Sequence, residues 1–139
     1  MRKKWAWTGL FILMLLGACT SFATPQPSQT APAVTVLDQE SVHDEFLSVA
    51  RVVSPGPGWI VIYTDAGGQP DAIIGYAPVK PGENQDVVVK VNGSAASPVL
   101  YAVLFMDRGT VGKFEFPGPD QPVQVGGKRV MAAFQASHD

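Results

Sequence analysis

Between Val34 and Ala136 the chain is cut into short apolar runs by clusters of Gly, Pro, Asn and Asp. The runs are rich in Val, Ile, Tyr and Phe, and the clusters recur at roughly the 8–12-residue spacing of strands in a sandwich or barrel. No stretch sustains the i, i+3, i+4, i+7 apolar pattern of an amphipathic helix. The nearest approach, Asp38 to Leu47, places Val42 and Phe46 four apart behind an acidic start. It reads as a loop or a single turn feeding a strand. The expected class is therefore all-β, an immunoglobulin-like antiparallel β-sandwich of about seven to nine short strands.

Two runs organise that expectation. Trp59 to Tyr63 and Val99 to Met106 are apolar at successive positions, which a strand tolerates only when both of its faces are covered. They are the predicted central strands, with Trp59, Val61 and Leu104 in the core and Trp59 between the two sheets. Asp86 to Val91 alternates, with Val87, Val89 and Val91 on one face and Lys90 opposite. Lys113-Phe114-Glu115-Phe116 also alternates, and predicts a hairpin strand with Phe114 and Phe116 turned inward. Further strands are expected at Val34–Leu37, Glu45–Val53, Ala72–Ala77, Val123–Val125 and Arg129–Ala136. Arg51 interrupts its strand and points to a bulge or an edge; Gly75 points to a bulge or a close backbone approach.

Ahead of this domain lies a different kind of sequence. Arg2, Lys3 and Lys4 form a basic head, Trp5 to Leu16 is almost wholly apolar, and Gly17-Ala18 are small. That order is a secretory signal, and its apolar run is short of the roughly 20 residues a spanning helix needs. Leu16-Gly17-Ala18-Cys19 resembles the lipobox of bacterial lipoproteins. The resemblance implies a cleaved peptide at 1–18 and a diacylglyceryl group on Cys19, which becomes the first mature residue. Residues 19–33, rich in Pro, Ser, Thr, Gln and Ala, then read as a flexible tether, residues 34–136 as the domain, and 137–139 as a frayed tail.

Composition narrows the functional classes. The chain has ten basic and twelve acidic residues; without Arg2, Lys3 and Lys4 this leaves seven against twelve, a net charge of −5. Such a surface argues against nucleic acid as a partner. Cys19 is the only cysteine, so the domain has no disulfide, thiolate nucleophile or cysteine metal ligand.

The order of motifs from Val34 to Ala136 resembles a family of β-rich domains of unknown function found in archaeal and bacterial surface and secreted proteins. The matching pieces are Gly58-Trp59-Ile60-Val61-Ile62, Ile74-Gly75, the Leu100 to Gly109 segment and Phe114-Glu115-Phe116-Pro117-Gly118. In domains of that kind a histidine often follows each of the two central strands; here Tyr63 and Phe105 stand in those places. The resemblance supports fold and an extracytoplasmic setting, and brings no activity with it.

The chain's own residues offer little catalytic chemistry. Its histidines are His43, before the second strand, and His138, in the tail, so no catalytic triad is expected and no cofactor. Asp65, Asp107 and Asp120 flank Gly or Pro, where aspartate commonly bonds its own turn backbone. They form a calcium site only if their loops converge. The expected function is a non-enzymatic binding or structural module of the cell envelope. Its expected partners are the membrane, through the lipid anchor, and an envelope protein or glycan. The alternatives are an envelope hydrolase using carboxylates and a calcium-stabilised carbohydrate-binding module.

Overall fold

A computed structural model describes residues 30–38 and 45–137. The predicted signal peptide, Cys19, His43, His138 and most of the Asp38–Leu47 segment lie outside the described residues. Among the described residues ten strands follow one another: β1 (Ala33–Thr35), β2 (Phe46–Ser54), β3 (Gly58–Ala66), β4 (Gln69–Val79), β5 (Gly82–Lys90), β6 (Val99–Met106), β7 (Gln121–Pro122), β8 (Gln124–Val125), β9 (Lys128–Arg129) and β10 (Met131–Gln135). The architecture is an all-β sandwich of antiparallel sheets. One sheet has the order β1-β2-β5 and the other β10-β6-β3-β4, with β7 also alongside β6; β8 and β9 form a small hairpin. The count exceeds the expected seven to nine because the stretch after Asp120 is divided among four short strands.

As their composition requires, β3 and β6 lie side by side in the middle of the larger sheet, from Gly58 opposite Met106 to Thr64 opposite Leu100. Alternation sends Ile60, Ile62, Leu100, Ala102 and Leu104 inward, where they meet Leu47, Val49, Val52 and Val89 of the smaller sheet. Each large aliphatic side chain buried there contributes about 1.5–3 kcal/mol relative to exposure. The intervening residues, Trp59, Val61, Tyr63, Tyr101, Val103 and Phe105, form a second buried cluster on the opposite face of the same sheet. Trp59 is thus buried but not between the sheets, which corrects the expectation for its position; Val61 is buried in the same cluster. A residue's face is set by its parity along the strand, and Trp59 has the parity opposite to Ile60.

The connections follow from local chemistry. β3 and β4 are joined by Gly67-Gly68, both at positive φ, which matches the right-handed twist of a two-residue hairpin. On β2 the inward positions are Leu47 and Val49 before Ala50 and Val52 after it. On β5 the matching change falls at Asp86, whose φ is 48°, so both strands change phase together and their pairing register survives. Arg51 is the outward residue this shift produces, and it pairs with Glu83 at 3.1 Å. Gly75 is a close approach: it bridges to Val91, and a side chain there would strike the Lys90 carbonyl. That contact joins the two sheets along one side. On the other side the Gln135 N–H donates to Asp38 Oδ1 at 2.9 Å.

The predicted hairpin strand at Lys113–Phe116 is not a strand. Residues 107–120 form one long loop between β6 and β7. Its backbone groups are used within the loop: the Glu115 N–H donates to Asp120 Oδ2, the Lys113 N–H to the Thr110 carbonyl, and the Glu115 carbonyl accepts the Asp120 N–H. Phe114 is half-buried and Phe116 is 36% exposed, so only the first resembles the inward placement expected of both.

Candidate functional site

The loop 107–120 folds back over the outer, aromatic face of the larger sheet and is held by three of its own carboxylates. Asp120, fully buried, is the centre. Its Oδ1 accepts the N–H groups of Arg108 at 2.8 Å and Gly109 at 3.2 Å, and its Oδ2 accepts that of Glu115 at 2.8 Å. Glu115 Oε2 accepts the Thr110 N–H and Asp107 Oδ2 the Gly112 N–H, both at 2.8 Å. Gly109 is required because a side chain there would collide with the Glu115 carboxylate and with Pro119. Each of these bonds has a charged acceptor, the stronger class of hydrogen bond.

Burial alone raises the pKa of the Asp120 carboxyl. The N–H groups of Glu115, Arg108 and Gly109 together lower it by more, and the Trp59 indole lowers it further, leaving it below the usual aspartate value. Trp59 Nε1 itself is buried without a hydrogen-bond partner of good geometry. Asp107 Oδ1 is likewise buried and unpaired.

Beneath and around the loop the aromatic rings form one connected cluster. Phe114 meets Trp59 edge-on at 5.7 Å and Phe105 at 5.8 Å, and Phe116 meets Phe105 edge-on at 5.1 Å. Tyr76, from β4, lies 4.5 Å from Phe114 and is half exposed. Edge-to-face packing of this kind contributes about 0.5–1.5 kcal/mol per pair beyond area burial. At the surface the assembly presents Tyr76, Phe116 and, at the tip of the loop, Val111, which is 80% exposed.

The three predicted turn carboxylates do not converge. Asp107 and Asp120 share this loop, whereas Asp65 follows Thr64 at the far end of β3. Asp65 lies seven residue rises along β3 from Gly58, about 23 Å, far beyond the 2.3–2.6 Å of calcium–oxygen bonds. Asp65 instead accepts the Tyr101 hydroxyl at 2.8 Å, while its N–H donates to Ser97 Oγ at 2.8 Å. That hydrogen bond, with burial and the Asp65 charge, raises the Tyr101 pKa. Among the described residues no group of three or more His, Cys, Asp or Glu is placed to hold a metal ion. Tyr63 and Phe105, which stand where the resembling domains often carry histidines, are neighbours here, with rings 6.3 Å apart and 18° from parallel. Burial pushes the Tyr63 hydroxyl's pKa up, against a smaller lowering by Arg129.

Sequence reasoning identified Asp107 and Asp120 as turn residues and missed that one of them is the buried keystone of the loop. The only signal available was their joint presence with Glu115 in a stretch dense in Gly and Pro. At the loop's base, Met106, Arg108 and Gln121 line a surface depression of about 600 Å³ together with Pro32 and Pro55. A second depression, of about 370 Å³, includes Thr30, Ser54 and Gly82. The N-terminal segment therefore joins the domain at the end where the loop is rooted.

The sequence model of a family described as a domain of unknown function (DUF7282) matches residues 32–137. No curated protein and no solved structure matches the chain.

Proposed function

The chain belongs to the DUF7282 family, and from that premise we propose that it is a non-enzymatic binding or structural module of the cell envelope. Cys19 carries its lipid anchor, and the anchor holds it on the extracytoplasmic side of a cell or outer membrane. The observation that carries the binding role is the 107–120 loop: its carboxylates bond its own backbone, and Val111 and Phe116 are exposed on its outer side. A loop fixed in advance loses little entropy when a partner docks. Carboxylates engaged in this way serve positioning rather than proton transfer. The anchor reading is carried by the apolar run that ends in Leu16-Gly17-Ala18-Cys19. Two or more acyl chains hold a protein to a bilayer where one binds only reversibly.

Expression of the full-length chain in a bacterium that processes lipoproteins tests the anchor. The protein should partition with membranes and into detergent, and Cys19→Ser should accumulate as unprocessed precursor. A wild-type protein that is wholly soluble and keeps a free Cys19 thiol contradicts the reading.

A further inference from the structure

We propose that the 107–120 loop is a second membrane contact, lying in the headgroup region of the bilayer that holds the Cys19 anchor. The inference rests on the anchored-module reading and adds an orientation to it. The first observation is where the chain enters the domain. Ala33 pairs with Val53 at the Ser54 end of β2, and the Asp107 N–H donates to the Pro57 carbonyl at 3.0 Å. Pro32 and Arg108 line one depression. Any pull from a membrane through residues 19–29 is thus applied at the end of the sandwich that bears the loop.

The second observation is how the loop distributes its polarity. The chain as a whole is acidic, with a net charge of −2, yet Asp120 turns both oxygens inward to backbone N–H groups. Glu115 accepts the Thr110 N–H with Oε2 while its Oε1 lies 3.8 Å from Lys113 Nζ, so each loop carboxylate has a partner group. What faces outward is Val111 and Phe116 together with two cations, the exposed Arg108 and Lys113. Apolar tips flanked by Lys and Arg are suited to the interface, where the cations reach the headgroups and the apolar groups sit just below. Because two apolar side chains bind a bilayer only weakly, the contact depends on the anchor. Tethering makes the second binding event intramolecular, so weak insertion becomes populated without new contacts.

The test uses the full-length, acylated protein in vesicles of phosphatidylethanolamine and phosphatidylglycerol. Cys19 is blocked by its lipid, so Val111→Cys gives a single thiol for a polarity-sensitive fluorophore. Val88→Cys, on the exposed outer side of the smaller sheet, gives the reference. Flotation of the same samples reports on the anchor separately. The expected result is flotation of both variants, with the label at 111 shifted to the blue and losing most of its emission to a lipid-borne quencher while the label at 88 does neither. Flotation with an aqueous, unquenched label at 111 overturns the loop contact and leaves the anchor standing. Loss of flotation overturns both. A label that stays aqueous on vesicles but is shielded in intact cell envelopes overturns the lipid assignment in favour of a glycan or protein partner.

Discussion

Leu104 and Phe105 are adjacent in the chain, both fully buried, and they belong to two different kinds of interior. Leu104 points between the sheets into an aliphatic layer whose opposite wall is another sheet. Phe105 points the other way, into an aromatic layer whose wall is a loop. A sheet wall is fixed along its length by ladder hydrogen bonds and cannot follow a shrinking side chain. The loop wall is fixed at a few points by carboxylates and can settle. Equal burial in the two layers therefore does not mean equal contribution to stability.

The largest effect is expected at Leu104→Ala. The cavity would lie between two sheets that cannot collapse, so the loss belongs near the upper part of the 2–5 kcal/mol range for such truncations, about 4 kcal/mol. Against a total of about 5–15 kcal/mol, chemical denaturation should show a midpoint lowered by a large fraction or no folded protein. A small effect would mean that the sheets can close up and that the two layers do not differ.

Next comes Asp120→Ala, which removes three charged-acceptor hydrogen bonds, at about 3 kcal/mol in all. This variant should also change the acid response. The folded-state pKa of Asp120 lies below its unfolded value. Its stabilisation is therefore complete above the ordinary aspartate pKa of about 4 and is lost as pH falls through the depressed value. Denaturation midpoints taken between neutral and acid pH should converge for wild type and variant at the acid end. Parallel curves would show that Asp120 does not hold the loop as a carboxylate.

Trp59→Ala is expected to cost less than the roughly 3–5 kcal/mol usual for a buried tryptophan, about 2 kcal/mol. The loop can settle into the space left by the side chain. A midpoint shift as large as that of Leu104→Ala would place both layers in one class. Smallest is Arg51→Gln. The Arg51–Glu83 pair is well exposed and lowers the Glu83 pKa through its hydrogen bond. Exposed pairs contribute little, so the denaturation curve should superimpose on that of the wild type.

The same contrast explains what could be read from the sequence. Strand parity and turn residues were sufficient for the all-β sandwich and for β2 through β6, because each rests on local chemistry: Gly75 for a bulge or close approach, unbroken apolar runs for covered strands. That β3 and β6 are covered on both faces was legible; what covers each face was not. A loop that contributes Phe114 looks in the sequence like a strand that contributes Phe114, since Lys113–Phe116 alternates just as well. The distinction is made by Asp120 capturing the Glu115 N–H, a contact between side chain and backbone that no periodicity encodes. The placement of Trp59 failed for a related reason. Its parity relative to Ile60 is plain in the sequence, but which parity faces the second sheet is settled only by how the sheets pack.

The central claim is that the outer aromatic layer is closed by the loop and held through Asp120, independently of the layer between the sheets. With Trp5→Phe and Trp7→Phe, Trp59 becomes the only tryptophan, and its fluorescence reports on that layer alone. The direct measurement is acrylamide quenching of Trp59 with and without Asp120→Ala, alongside the far-ultraviolet spectrum. The account predicts shielded, blue-shifted emission in the parent, and quenchable, red-shifted emission in the Asp120 variant with its β spectrum retained. Emission that stays shielded in the variant, or that becomes exposed only as the β spectrum is lost, would contradict it.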